Sequence, residues 1–307
     1  MTALDGRGDV FRRLAARSLK LNRTRTVVSI IGIALSCALI AAIFTSVATL
    51  YSGLLKAEIM TDGAWQVEFA NLDGAGLERL REDPRVMQRY ERVHYGDALM
   101  PKSFEGYWGR YLSVQEWPTS EAVAGLRPLP HIACGRAPRA PGEIVLNLDL
   151  KGQSVETGSW LYDGLPATGL DDTAPRASWD GALELGSTIE LAPGQRVFVD
   201  PETGKQAPCL YNEPLFTTTS DRGDVITEYL KGPGAPASYT VVGFHAPEDD
   251  DIYDQWGSSG PGYLGFVCAP GMPALQTSTY VATDLTNRDE VDGLVADYVE
   301  TPTDGHG

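Results

Sequence analysis

The sequence predicts an α+β protein with one N-terminal transmembrane helix, followed by a large domain in which an α/β portion carries an inserted, mainly β portion. Three observations lead there. No charged residue occurs between Arg25 and Lys56. Strand-like and helix-like apolar spacings follow one another at both ends of the remaining chain. The middle holds most of the glycines and prolines, set between short β-like runs. The implied boundaries are 1–25 for a basic cytoplasmic segment and 26–55 for the membrane helix. Residues 56–130 with 270–300 make the membrane-proximal α/β portion, 131–269 the β insertion and 301–307 a polar tail.

The membrane helix comes first. Val27 to Leu50, VVSIIGIALSCALIAAIFTSVATL, is predominantly apolar. As a helix it would be about 36 Å long, enough to cross a hydrocarbon core of about 30 Å with some tilt. Residues 1–25 carry seven basic groups (Arg7, Arg12, Arg13, Arg17, Lys20, Arg23, Arg25) against Asp5 and Asp9, a net charge of +5. Residues 57–307 carry 17 basic and 39 acidic groups, a net charge of −22. Basic residues cluster on the N-terminal side of the apolar run, so the positive-inside rule places Met1 in the cytoplasm and the acidic domain outside. A cleaved signal peptide is the competing reading, with Ser46, Val47 and Ala48 as small residues for a peptidase; the long charged leader and long apolar run favour an anchor. Either way the domain is expected outside, with the lipid bilayer as the helix's partner. Its acidity argues against nucleic acid as a partner and against a lipid-hugging surface.

Two features of the first sixty residues carry further expectations. Phe11, Leu14, Ser18 and Leu21 fall near one stripe of Val10–Leu21, among Arg12, Arg13, Arg17 and Lys20. This is the pattern of a basic helix lying along inner headgroups, or of topogenic charge alone. Within the span, Ala34, Ala38, Ala42 and Ser46 recur every four residues beside a bulky stripe of Ile31, Leu35, Leu39 and Ile43. Small residues at this spacing let a second membrane helix approach closely.

Beyond the span, Ala64–Asn71 alternates as a strand. Asp73 is placed to cap a short helix bearing Leu77 and Leu80, which Pro84 stops, and Met87–Leu99 reads as another strand, completing a β-α-β order. Near the other end Ser278–Leu285 is a strand. Asn287 and Glu290 then stand at capping-box spacing before Val291, Leu294, Val295 and Tyr298, which share one helical face. Between these ends GEIVLN from Gly142, ELGSTIELA from Glu184, RVFVD from Arg196 and SYTVVGFHA from Ser238 read as strands. Residues 152–181, 200–237 and 246–262 read as long loops.

Sites of chemistry are scarce. Gly204-Lys205 lacks the upstream glycine and the Ser/Thr of a phosphate-binding loop, and neither G-x-S-x-G nor H-E-x-x-H occurs. No cofactor motif emerges, and the chain is expected not to be an enzyme. His94, His131, His245 and His306 are scattered, reading as surface or core residues rather than metal ligands. The acidic run Glu248–Asp251 with Asp254 lacks the alternation of a calcium loop and reads as a solvated loop. Cys134, Cys209 and Cys268 fit no zinc spacing, leaving one disulfide with a spare thiol or three unpaired thiols.

Three segments together resemble the MacB/FtsX-like permeases of ABC transporters. Leu14–Ser36 is similar to that family's basic entry into its first membrane helix. GRAPRAPGEIVLN, Gly135 to Asn147, resembles its Gly-Arg-x-Pro turn followed by Gly-Glu-Ile-Val-Leu, with Gly135, Arg136, Pro138, Gly142 and Glu143 as structural turn residues. ELGSTIELA and the later YTVVGFHA look like two of its strands. The resemblance implies an extracytoplasmic, porter-like α/β portion with an inserted β portion in the cell membrane's outer space. It also implies a separate cytoplasmic ATP-binding subunit as partner, and export or extraction of an amphiphile or transmission of force. The family's three further membrane helices have no counterpart in these 307 residues. They are expected from a longer form of the chain or from a second permease chain. A stand-alone, single-pass tethered binding or sensor domain is the alternative.

Overall fold

The computed structural model describes residues 17, 23–61, 63–104, 109–123, 125–156, 174–211, 217–220, 223–246 and 262–298. The stripe expected over Val10–Leu21, Arg17 apart, lies outside the described residues, as do the run from Glu248 to Asp254 and the tail 301–307. The chain divides into two compact units, Met1–Ile59 and Met60–Gly307.

The uncharged stretch forms helix α1 (Arg23–Thr61), which extends past both expected ends, 26 and 55. Its flanks contain Lys, Ala, Glu and Met, all good helix formers, and no proline, so the backbone has no reason to stop at the last apolar residue. At 39 residues it is about 58 Å long. The helix is long and apolar enough to cross a membrane, a property it shares with signal sequences. Four of its hydroxyls are satisfied within the helix: Ser36 Oγ donates to Gly32 O at 2.9 Å, and Thr45, Thr49 and Ser52 donate to the carbonyls of Ala41, Thr45 and Ala48, each at 2.8 Å. Such back-bonding removes the cost of carrying these groups in an apolar medium.

The second unit is built mostly of sheet. In chain order its elements are β1 (Val67–Ala70), α2 (Gly74–Glu82), β2 (Val86–Leu99), β3 (Tyr111–Glu116), α3 (Ser120–Val123), β4 (Ile132–Gly135), β5 (Glu143–Asn147) and β6 (Ser178–Trp179). There follow β7 (Thr188–Leu191), β8 (Gln195–Val199), β9 (Gln206–Pro208), β10 (Thr217–Ser220), β11 (Gly223–Ile226), β12 (Glu228–Lys231), β13 (Ala237–His245), β14 (Gly262–Val267), β15 (Gln276–Thr283) and α4 (Arg288–Tyr298). Ten strands form one sheet in the order β1-β15-β2-β3-β14-β5-β13-β7-β6, with β4 also pairing β13. A three-stranded sheet, β12-β8-β9, and the hairpin β10-β11 stand apart from it.

The first and last strands of the second unit meet at one edge of this sheet. β1 and β2 are each antiparallel to β15, which lies between them, so α2 is the crossover of a split β-α-β unit. Asp73 caps α2, accepting the Gly76 N–H at 2.6 Å, and Asn287 Oδ1 accepts the Glu290 N–H at 2.9 Å at the start of α4. Leu80 and Leu294 are fully buried against Val67, Phe69 and Val281, with Val291, Val295 and Tyr298 packed around them.

Two outcomes differ from the sequence reading. β3 and β14 are central strands that the pattern passes over; GYLGFV carries two glycines and so resembles a turn. Packing explains the first of them: a Cβ on Gly262 would overlap the Tyr111 carbonyl on the neighbouring strand. β14 inserts between β3 and β5, so residues 131–269 and 56–130 contribute neighbouring strands to one continuous sheet. Residues 200–237, expected as loop, contain β9, β10, β11 and β12. β9 and β12 owe their order to hydrogen bonds from β8 on both sides, so they need no apolar alternation of their own. All four cysteines are free thiols, with Cys209 buried.

Candidate functional site

Of the residues singled out in the sequence, Ala34, Ala38, Ala42 and Ser46 are all exposed along one side of α1, beside the exposed Ile31, Leu35, Leu39 and Ile43. Gly135, Arg136, Pro138, Gly142 and Glu143 gather in a single turn between β4 and β5. Arg136 grips Glu143 with both branches of its guanidinium, Nη1 to Oε2 at 2.8 Å and Nη2 to Oε1 at 2.5 Å. The Arg139 N–H also donates to Oε2 at 2.7 Å. Arg136 and then the Arg139 N–H hold the Glu143 pKa down to about 2. Gly135 has φ of 81° and sits so close to Val242 and Gly243 that a Cβ would overlap their backbone. All the polar capacity of Glu143 is turned on its own loop, an arrangement suited to fixing a turn.

A second polar cluster escaped the sequence reading. Residues paired across strands share a face of the sheet, and one face carries the row Tyr280–Tyr90, Ser278–Arg92 and Gln276–His94 between β15 and β2. The row continues as His94–Gln115, Asp97–Ser113 and Leu99–Tyr111 between β2 and β3. Over β3, β5 and β13 the opposite face is apolar, with Leu112, Val114, Ile144, Leu146, Val241 and Phe244 in one core.

The small sheet closes over part of the polar row. Asp97 and Gly194 exchange backbone hydrogen bonds at 2.9 and 3.0 Å, docking the start of β8 on β2. Arg196 and Glu228, both fully buried, form a bidentate pair, Nε to Oε1 at 3.1 Å and Nη2 to Oε2 at 3.0 Å. Burial works against the Arg196 cation, but Glu228 and Asp97 more than offset it and its pKa lies above the ordinary value. Burial likewise works against an ionised Asp97, yet His94, Arg196 and the hydroxyl of Ser113, which donates to Oδ1, hold that carboxyl below the ordinary range. Gln276 ties in the next segment: its Oε1 accepts the Tyr211 N–H at 2.8 Å, and its Nε2 donates to Gln195 Oε1 at 3.1 Å and to the Cys209 carbonyl. Tyr211 lies under the Arg92 guanidinium, 5.2 Å from ring centre, and hydrogen-bonds the Tyr280 hydroxyl at 2.6 Å.

Beside this covered part the same face opens into a cleft. Tyr90, Arg92, Pro118, Val123, Arg127, Pro128, Pro130 and Phe266 line it, and the space between them is narrow, about that of a single water. Arg127 lies over the Tyr280 ring at 4.7 Å. The signal that could have found Arg92, His94 and Arg196 is their parity: each stands in a strand at a position that alternation assigns to a buried face. Among the described residues no group of three His, Cys, Asp or Glu side chains is placed to hold a metal ion. No protein-family model and no curated protein matches this chain.

Proposed function

We propose that the chain is the N-terminal part of an ABC transporter permease, itself non-catalytic. It couples a separate cytoplasmic ATPase to export or extraction of an amphiphile, or to force transmission outside the membrane. One observation carries this reading: the three motif segments beyond the membrane helix, far apart in sequence, lie on strands that touch. β13, which holds YTVVGFHA, pairs with β4 and β5 of the GRAPRAPGEIVLN segment and with β7 of ELGSTIELA. A resemblance spread by chance over the chain would not be expected to converge on one patch of sheet. In this reading α1 crosses the cell membrane with Arg23 and Arg25 on the cytoplasmic side, and the acidic unit lies outside.

Affinity purification of the tagged full chain from its native membrane tests the proposal. A co-purifying ATP-binding subunit is expected, with no ATP hydrolysis by the chain alone. Recovery of the chain without any such subunit under conditions that preserve membrane complexes would favour a stand-alone tethered domain. Protease added to intact cells should digest the acidic unit and spare an N-terminal tag; the reverse pattern overturns the topology.

A further inference from the structure

We propose that the small sheet β12-β8-β9, with the turn that follows β9 to Tyr211, is a hinged lid over the polar row of the large sheet. The chain leaves the large sheet after β7 and returns to it in β13, and these two strands pair, with Leu191 opposite Ala237. Within the small sheet the pair nearest to them is Gln195 with Lys231. Only residues 192–194 and 232–236 connect the two pairs, and they run side by side. The Gly234 N–H donates to the Pro193 carbonyl at 3.2 Å, and a Cβ on Gly194 would stand 3.0 Å from Lys231 O and from Pro233 N. The small sheet thus hangs from one narrow neck. Gly194, Gly232 and Gly234 lie in it, Gly232 with φ of 59°, and glycines absorb the backbone rotation that a hinge requires. The backbone bonds between Asp97 and Gly194 fix this neck to β2, which makes it the pivot.

What holds the lid down is mostly polar. Among its described residues Leu230 alone joins an apolar cluster, with Leu99 and Tyr111. Beside it stand the bonds of Gln276 to Gln195, to the Cys209 carbonyl and from the Tyr211 N–H, the bond between the Tyr211 and Tyr280 hydroxyls, and the Arg196 guanidinium 5.4 Å from the centre of the Tyr111 ring. Water can replace such contacts when they part, so opening costs less than it would across an equal apolar area. Two further features favour the open state. Arg196 and Glu228 both belong to the lid, so their ion pair moves intact and regains the hydration it lost on closure. His94 lies beneath Tyr211, the rings 5.6 Å apart, and is only 2% exposed. Neither of its nitrogens has a hydrogen bond, although Nε2 is 3.4 Å from Asp97 Oδ1, and opening brings water to both. The inference does not depend on the transport reading.

Cys209 reports on the lid, being 1% exposed with its thiol 3.9 Å from Glu228 Oε2. The full chain in detergent micelles, with Cys37, Cys134 and Cys268 replaced by alanine, is treated with a thiol reagent in the absence of denaturant. Cys209 is expected to react at least about a hundredfold faster than the global unfolding of the same protein allows. Gln276→Met removes the side chain that latches Cys209 and Tyr211, and should speed the reaction about tenfold. Tyr211→Phe keeps the ring and loses the hydroxyl contacts to Tyr280 and Glu68, so it should also speed the reaction, and it serves even if Gln276→Met does not fold. Val241→Ala, in the core of the large sheet, should lower global stability and leave the Cys209 rate unchanged, because β13 keeps its packing when the lid opens. A Cys209 rate that rises with global unfolding in Val241→Ala, a rate unaltered in a folded latch variant, or no reaction short of unfolding would overturn the proposal.

Discussion

Two arginine–glutamate pairs lie at opposite depths in the same unit. Arg136 and Glu143 are seven residues apart in the chain, meet in a turn, and keep 41% and 20% of their side-chain surfaces in contact with solvent. Arg196 and Glu228 are 32 residues apart, belong to adjacent strands of the small sheet, and expose nothing. The chemistry is the same and the consequences differ. In the turn, water screens the pair, so its main effect is to set the course of a short loop. Under the small sheet both ions have lost their hydration, and only their mutual contact, with Asp97 nearby, keeps the charges tolerable there. A local pair shapes its own segment, whereas the buried pair joins two strands of the small sheet and, through Arg196 over the Tyr111 ring and near Asp97, ties that sheet to the large one.

The largest test of that contrast is Glu228→Gln, which leaves Arg196 buried without its anion. A loss of about 3–5 kcal/mol is expected from denaturant unfolding of the chain in micelles. Replacing both partners, Arg196→Met with Glu228→Leu, should recover most of it, since the isosteric apolar pair avoids desolvation. A double variant no more stable than the single one would show that the ion pair stabilises outright.

Asp97→Asn comes next, with an expected cost of about 1.5–3 kcal/mol for a charged hydrogen-bonded group. Because the folded pKa of Asp97 lies below the ordinary value, its contribution is full above about pH 3.9, the unfolded value, and is lost as pH falls through the folded one. The thermal midpoint of the wild type should therefore fall more steeply on acidification in that range than that of the variant. Parallel curves would mean that Asp97 is not ionised in the fold.

Glu143→Gln should have the smallest effect at neutral pH. The Glu143 contribution is present above about pH 4.3 and lost as pH falls toward about 2. Molar salt should shrink the difference between this variant and the wild type, while leaving that of Glu228→Gln nearly unchanged, because only the exposed pair is reached by counterions. Equal salt sensitivity at both sites would erase the distinction drawn between them.

By itself the sequence determined the features that depend on neighbours within a few residues. The long apolar run of α1, the Asp73 and Asn287 caps, the buried stripe of α4 and the strands at both ends of the domain follow from spacing and local hydrogen bonding. The turn from Gly135 to Glu143 is legible in part for the same reason, since its prolines, Gly142 and the pairing of Arg136 with Glu143 are local, whereas Gly135 answers to the distant backbone of Val242 and Gly243. The strands β3 and β14 were decided only in three dimensions, because Gly262 is required by the approach of the Tyr111 backbone and not by any local preference. β9 and β12 exist through hydrogen bonds to β8, and the cleft through the meeting of β2, β14 and the Pro118–Pro130 segment. Arg92, Gln115 and Arg127 are spread over 36 residues of chain and look like ordinary surface polar groups when read in line. Burial and register, which pair residues across strands and remove water from between them, brought Arg92 against Gln115 and set Arg92 and Arg127 along one cleft.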